Sequence, residues 1–231
     1  MLRKLANGWR PGSPAARLRQ KRFALFLQLL ETLPEPVDIL DIGGQEAFWK
    51  VVGVDHPRIR SIVLLNRRPQ EVTLPKLSSV IGDARRLDSY PDSSVDVIFS
   101  NSTIEHVGGL RDQQMAAREI QRVGRHYFVQ TPNRFFPIEP HFLFPFFQFL
   151  PQGIRAQLHH RWTLGWWKKQ DDYFEALAEV ESIRLLSAAE LKHLFPNSHL
   201  VRESFLGLTK SLIVLGGWPL HETQLLLQDT K

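Results

Sequence analysis

With 231 residues, 43% of them hydrophobic and 23% charged, the chain has the make-up of a soluble globular protein with room for one well-packed α/β domain but hardly for a second core. No apolar run reaches the roughly 18 residues that a bilayer span requires. The absence of cysteine excludes disulfides, thiolate metal sites and cysteine nucleophiles, and it agrees with a reducing, cytoplasmic location. The formal charge of +5 is concentrated at one end, because Arg3, Lys4, Arg10, Arg17, Arg19, Lys21 and Arg22 occur without an acid, leaving 22 basic against 24 acidic residues elsewhere.

Residues 1–36 form a basic arm and a helix. Ser13-Pro14 supplies an N-cap with proline at the first helical position, and Leu18, Phe26, Leu29 and Leu33 recur at roughly helical spacing until Pro34 and Pro36 stop the helix. The arm's cations suit the solvated face of a helix. An anionic membrane surface, nucleic acid and a transit segment are the other uses of such an arm, and nucleic acid is disfavoured because no RNA-binding module is recognisable. With no continuous apolar core before Phe23, the arm does not read as a secretory signal.

Four apolar runs follow, each ending in a small or polar residue: Val37 to Asp41 before Gly43-Gly44, Ile59 to Asn66, Ser78 to Asp83, and Val95 to Asn101. Their aliphatic content suits strands buried on both faces. In an open α/β sheet the carboxyl ends of such strands border the ligand cleft, so Asp41, Asn66, Asp83 and Asn101 are expected on one rim. Gly-Gly alone is equally consistent with a tight turn. A short helix is expected over Glu46 to Val52, closed by Gly53. Another follows the fourth strand, with Leu110, Ala117, Ile120 and Val123 inward, and Arg125 to Thr131 is the fifth strand.

The series DIGG, a polar end to strand two, GDA and VDVIFSNSTIEHV resembles the consecutive motifs of the class I S-adenosylmethionine-dependent methyltransferases over about Val37 to Thr131, and TPNRFFPIEPH resembles a subset of small bacterial members. The resemblance implies an α/β fold: a Rossmann-like, seven-stranded, mostly parallel sheet of order 3-2-1-4-5-7-6, an antiparallel last strand and helices on both faces. It implies S-adenosyl-L-methionine as cofactor. Asp41 would organise its methionine end beside Gly43 and Gly44, Asn66 would meet the ribose where relatives usually carry an acid, and Asp83 with the Ala84 amide would meet the adenine. Asn101 would offer its carbonyl to the ammonium, and Ser102 and Ile104 would line the floor. Gln45 and Ala47 stand where the family usually has further glycines.

Methyl transfer needs a base only when the acceptor must lose a proton. His106 and His141 are the catalytic candidates, because histidine titrates near neutral pH and both fall in segments expected to face the methyl group. A hydrogen-bonded histidine opening a helix is the structural alternative for His106, and Glu105 is expected to order its loop. Glu139 and His141 suit structure or acceptor binding equally. No metal site is assigned; neighbouring helical residues such as His159 and His160 point apart.

Residues 132–186 leave the βα alternation. Phe142, Phe144, Phe146, Phe147 and Phe149, then Trp162, Trp166 and Trp167 among Arg155, Arg161, Lys168 and Lys169, fit an insertion within the domain. It can pack as core, cover the cleft as an acceptor lid, or enter a membrane interface shallowly. Ser187 with Glu190 opens a helix by a capping box, and Leu200 to Leu206 with Ser211 to Leu215 makes the closing hairpin, followed after Trp218 by a polar tail. The expected function is methyl transfer to an unidentified acceptor, small or lipid- or glycan-linked, with peripheral contact to an anionic membrane through arm and insertion. A non-catalytic interaction module is the first alternative. A nicotinamide-dependent oxidoreductase is the second, and Ala47 with Phe48 crowds the third glycine it needs. A P-loop is excluded, since no Lys-Ser/Thr follows the glycines. Oligomeric state is left open.

Overall fold

The computed structural model describes residues 2–219, so all but the first residue of the polar tail lies outside the described residues. After a short helix α1 (Leu2–Ala6), Ser13 accepts from the Ala16 amide and starts α2 (Pro14–Glu31), as its Ser-Pro signature predicts. The central strands follow with intervening helices: β1 (Val37–Ile42), α3 (Glu46–Val52), β2 (Ile59–Asn66), β3 (Leu77–Ile81), β4 (Val95–Asn101), α4 (Leu110–Val123) and β5 (Gly124–Pro132). The insertion holds β6 (Ile138–Glu139), β7 (Phe144–Pro145), α5 (Gln152–Arg161) and α6 (Tyr173–Glu181). Helix α7 (Ala188–Leu194), opened by the Ser187–Glu190 capping box, leads to β8 (His199–Phe205) and β9 (Leu208–Gly216).

The main sheet runs β3-β2-β1-β4-β5-β9-β8, parallel from β3 to β5 and antiparallel across β9 and β8. Numbered within that sheet alone, the order is the expected 3-2-1-4-5-7-6; β6 and β7 form a separate ribbon. Burial on both faces holds for the central strands, whereas β3, at the sheet edge, buries only Leu77 and exposes Ile81, against the expectation for that run. Ile39, Phe99 and Phe128 join Phe23, Phe26, Leu29 and Trp49 under α2 and α3, whereas Leu40, Ile98 and Val129 join Ala117, Ile120, Leu191 and Phe195 under α4 and α7. The α2 side is aromatic, with Phe26 and Phe99 ring centres 4.6 Å apart and Phe99 and Phe128 at 5.4 Å.

Three local expectations need correcting. Leu110 is exposed at the first position of α4, outside the inner stripe of Gln113, Ala116, Ala117, Ile120 and Val123, because the packed face begins one turn later. The closing hairpin turns over Leu206 and Gly207, both in the left-handed region, so the first strand ends at Phe205 and the second starts at Leu208, three residues before the expected apolar run. The insertion contains two helices. Asp172 caps α6, while Phe142, Phe147, Val180, Ile183 and Leu185 form a third buried cluster that belongs to the insertion itself.

Candidate active site

At the carboxyl end of the sheet, β1 delivers Asp41 into the interior, where it is 2% exposed and accepts from the Trp49 indole N–H at 2.8 Å. Burial pushes its pKa up to about 7, partly opposed by that indole bond. The two glycines are required by neighbouring side chains. A Cβ on Gly44 would lie 2.0 Å from Asp41 Oδ2, and one on Gly43, whose φ is +76°, would lie 2.3 Å from Thr103 Oγ1.

Two hollows meet at Gly43. One, of about 210 Å³, is lined by Trp9, Arg19, Asp41, Gly43, Gly44, Asn101 and Ser102. The other, of about 220 Å³, is lined by Gly43, Asn66, Asp83, Ala84, Thr103 and His106. The strand-end residues are thus gathered on adjoining walls. Ile104 is elsewhere: it is buried in the core under α4 and its carbonyl accepts from Gln113, because the 3-10 turn over Ile104–His106 turns it inward and leaves Thr103 on the wall.

Each polar residue has a defined partner. The Asn66 amide nitrogen donates to the Gly44 carbonyl at 2.9 Å, so Asn66 has chiefly its oxygen to offer a ligand. Asp83 accepts a fork from Arg85, with Nη2 at 2.6 Å, and Arg85 reaches on to Asp112 at 2.8 Å; that guanidinium holds the Asp83 carboxyl below its usual range. Asn101 Oδ1 accepts from Arg22 at 2.6 Å, and Arg22 pairs with Glu203 of β8 at 2.7 Å in a largely buried bridge.

The basic arm therefore divides. Arg3, Lys4, Arg10, Arg17 and Lys21 are exposed, as the solvated-face reading expects, but Arg19 and Arg22 turn into the cleft. Arg19 lies 4.0 Å above the Trp9 ring and keeps a buried Nη1 without a hydrogen-bond partner. Burial, with the Arg22 charge adding to it, lowers its pKa to about 10. Sequence reasoning missed both arginines as site residues. Their spacing from Phe23 and Phe26 on α2 was the available signal, since positions three, four and seven apart share a helix face. A third hollow, of about 130 Å³, continues past Arg22 along Asn101, Ser102, Gln130, Phe136, Pro140 and Lys210.

The two candidate catalytic histidines meet. His141 Nε2 stands 3.1 Å from His106 Nε2, and its Nδ1 lies 2.6 Å from Glu139 Oε1. Glu139, 2% exposed, also receives the backbone N–H groups of His141 and Phe142. Glu105 is fully buried beside them: one oxygen accepts from Thr131 Oγ1 at 2.9 Å and the other has no partner. Burial raises the Glu105 pKa. Burial would discharge His141, but the Glu139 bond and the charges of Glu139 and Glu105 outweigh it and leave its pKa raised. By contrast, His159 and His160 diverge, one to Glu179 and the other to the Gln170 carbonyl.

Over this region the insertion packs Phe142 against Phe147 and Trp167 and exposes Phe135, Phe146, Phe149, Trp162 and Trp166. Among the described residues no helix is long and apolar enough to cross a membrane.

Residues 39–126 match a family model described as a methyltransferase domain. No curated protein sequence matches the chain. Among solved structures it is similar to a chain from the complex between the Haloferax volcanii Trm112 methyltransferase activator and a methyltransferase, at 15% identity and TM-score 0.50 over 93% of this chain and 96% of that one. It is also similar to the CurJ carbon methyltransferase, at 14% identity and TM-score 0.54 over 91% of this chain and 56% of that one. For the CMeT domain of the citrinin polyketide synthase the values are 12% and 0.52 over 87% and 52%. The chain spans about half the length of the latter two, and at these identities the likeness is one of fold.

Proposed function

We propose that the chain is a class I S-adenosylmethionine-dependent methyltransferase that methylates a small or lipid- or glycan-linked acceptor admitted beneath the aromatic insertion. The observation that carries this reading is the buried Asp41 carboxylate packed on Gly44 at the junction of two hollows. Its surroundings suit the cofactor's chemistry. Asp41 and Asn101 offer oxygens to an ammonium and a sulfonium, Asn66 to ribose hydroxyls, and Asp83 with the Ala84 amide to adenine. The unpartnered N–H of Arg19 is available to the methionine carboxylate.

When bound, the cofactor supplies a methyl group already activated on sulfur. The remaining work of the chain is alignment, which contributes on the order of 7–11 kcal/mol when ideal. Ser102 and Asn101 border both the methionine-side hollow and the one running to Phe136 and Pro140, so that hollow is the acceptor's route. His106, on the wall of the second hollow, and His141, oriented by Glu139, are the candidate bases for an acceptor that must lose a proton. The exposed Phe146, Phe149, Trp162 and Trp166 beside Arg161, Lys168 and Lys169 favour an acceptor presented at an anionic membrane surface.

Calorimetric titration with S-adenosylmethionine and with its demethylated product tests the cofactor assignment. Saturable binding of both is expected, and silence with both at millimolar concentration overturns it. Co-sedimentation with anionic vesicles, weakened by Trp162→Ala with Trp166→Ala, tests the membrane arm of the reading; no sedimentation removes it.

A further inference from the structure

We propose that Glu105, His106 and His141 form a binding site for one divalent first-row transition-metal ion, of the Mn²⁺, Fe²⁺, Co²⁺ or Zn²⁺ class, beside the hollow lined by His106, Thr103 and Asp83. The ligand atoms of these three residues lie within 4.8 Å of one another. His106 and His141 direct their Nε2 atoms at each other across 3.1 Å, about the separation of two nitrogens that share an ion bound at about 2.0–2.1 Å from each.

Two further features point to a cation. The Nδ1–H of His141 is taken by the Glu139 carboxylate at 2.6 Å, which leaves the Nε2 lone pair facing the cluster. A carboxylate behind a metal-binding histidine commonly fixes its tautomer and ring orientation in this way. Glu105 is fully buried with one carboxylate oxygen unpartnered, while Thr131 anchors the other. A buried carboxylate oxygen without a donor is costly, and a metal ion on that oxygen removes the cost. The donor set decides the ion, because two imidazoles and one carboxylate suit the transition metals better than Mg²⁺ or Ca²⁺ and leave coordination positions open.

The site has a direct use if the methyltransferase reading holds, and this part rests on it. His106 also lines the hollow of Asn66, Asp83 and Thr103, which adjoins the methionine-side hollow at Gly43, so the open positions border the cofactor wall. An ion there holds an acceptor by a hydroxyl oxygen, or by two adjacent oxygens, and polarises that group. The acceptor class is thereby an alcohol, phenol or vicinal diol.

The test uses the full chain, stripped with a chelator and titrated with Co²⁺ under calorimetry and visible absorption. One ion per chain with d–d bands is expected. Glu105→Gln and His141→Ala should abolish uptake, and Glu139→Gln, which replaces the carboxylate behind His141 Nδ1 while keeping an acceptor for the backbone N–H groups, should weaken it by roughly 10–100-fold. Thermal melting and cofactor titration of each variant report folding separately. No Co²⁺ uptake by the wild type overturns the site, as does uptake unchanged in both Glu105→Gln and Glu139→Gln. Co²⁺ binding with a silent cofactor titration would leave the site standing and remove the methyltransferase reading instead.

Discussion

The pair of hollows that meet at Gly43 and the cluster around His141 have His106 in common, but the chain assembles them differently. Asp41, Asn66, Asp83 and Asn101 come from the ends of successive strands, so the sheet that supports them also sets their spacing. His141 comes from the ribbon of the insertion and reaches Glu105 and His106 across the sheet edge, held there by Glu139. The first site is carried by the strands of the main core. The second depends on how well the insertion's own cluster of Phe142, Phe147, Val180, Ile183 and Leu185 stays packed.

Phe147→Ala separates the two most sharply. Emptying that fully buried aromatic position should cost about 3–5 kcal/mol in the insertion and lower turnover. Cofactor affinity should stay unchanged, as measured by denaturant melts, kinetics and calorimetry; a parallel loss of cofactor binding would dissolve the distinction. Arg22→Ala should act on the other side, leaving Glu203 buried without its partner at a cost of about 3–5 kcal/mol. A melting temperature unchanged in Arg22→Ala would show that the bridge contributes little.

Asp41 gives a pH signature of somewhat smaller size. Its carboxyl has an ordinary value of 3.8 and a folded value of about 7, so between these the folded state holds the extra proton. Stability from this group is greatest below the lower value and declines as pH rises to the higher one, by at most about 1.4 kcal/mol per pH unit. Asp41→Asn keeps an acceptor for Trp49, so it should flatten that slope and raise stability at pH 8, while weakening the cofactor by roughly 10–100-fold through loss of a charged partner. Chemical denaturation across pH, paired with calorimetry, reads both effects.

Gly44→Ala should cost about 1–3 kcal/mol, since the new methyl collides with the Asp41 carboxylate, and should weaken the cofactor with it. Trp9→Ala should have the smallest effect. Removing the ring over Arg19 loses about 0.5–1 kcal/mol, which should appear as a several-fold rise in the KM for the cofactor with kcat unchanged.

The strand ends were legible because buried parallel strands write themselves as short aliphatic runs, and the residue closing each run marks the rim. Ile104 was misplaced because a single 3-10 turn decides whether it or Thr103 faces the ligand, and no periodicity records that. Arg19 and Arg22 were hidden by their company: in a run of cations, two inward side chains look like the five exposed ones until the Phe23 and Phe26 face is drawn through them. The meeting of His106 with His141 joins residues 35 apart through an irregular segment, where sequence spacing carries no distance. Helix α6 was the exception within the insertion, since Asp172 with Glu175 is an ordinary start signal that the surrounding aromatics obscured.

The Arg22–Glu203 bridge spans 181 positions of the chain, and Asn101 shares its guanidinium. A ribosome releases the N-terminal helix and β4 long before it releases the hairpin whose Glu203 holds Arg22. The nascent protein can therefore lay down the parallel part of its sheet early, yet the buckle beside Asn101 closes only when β8 has emerged.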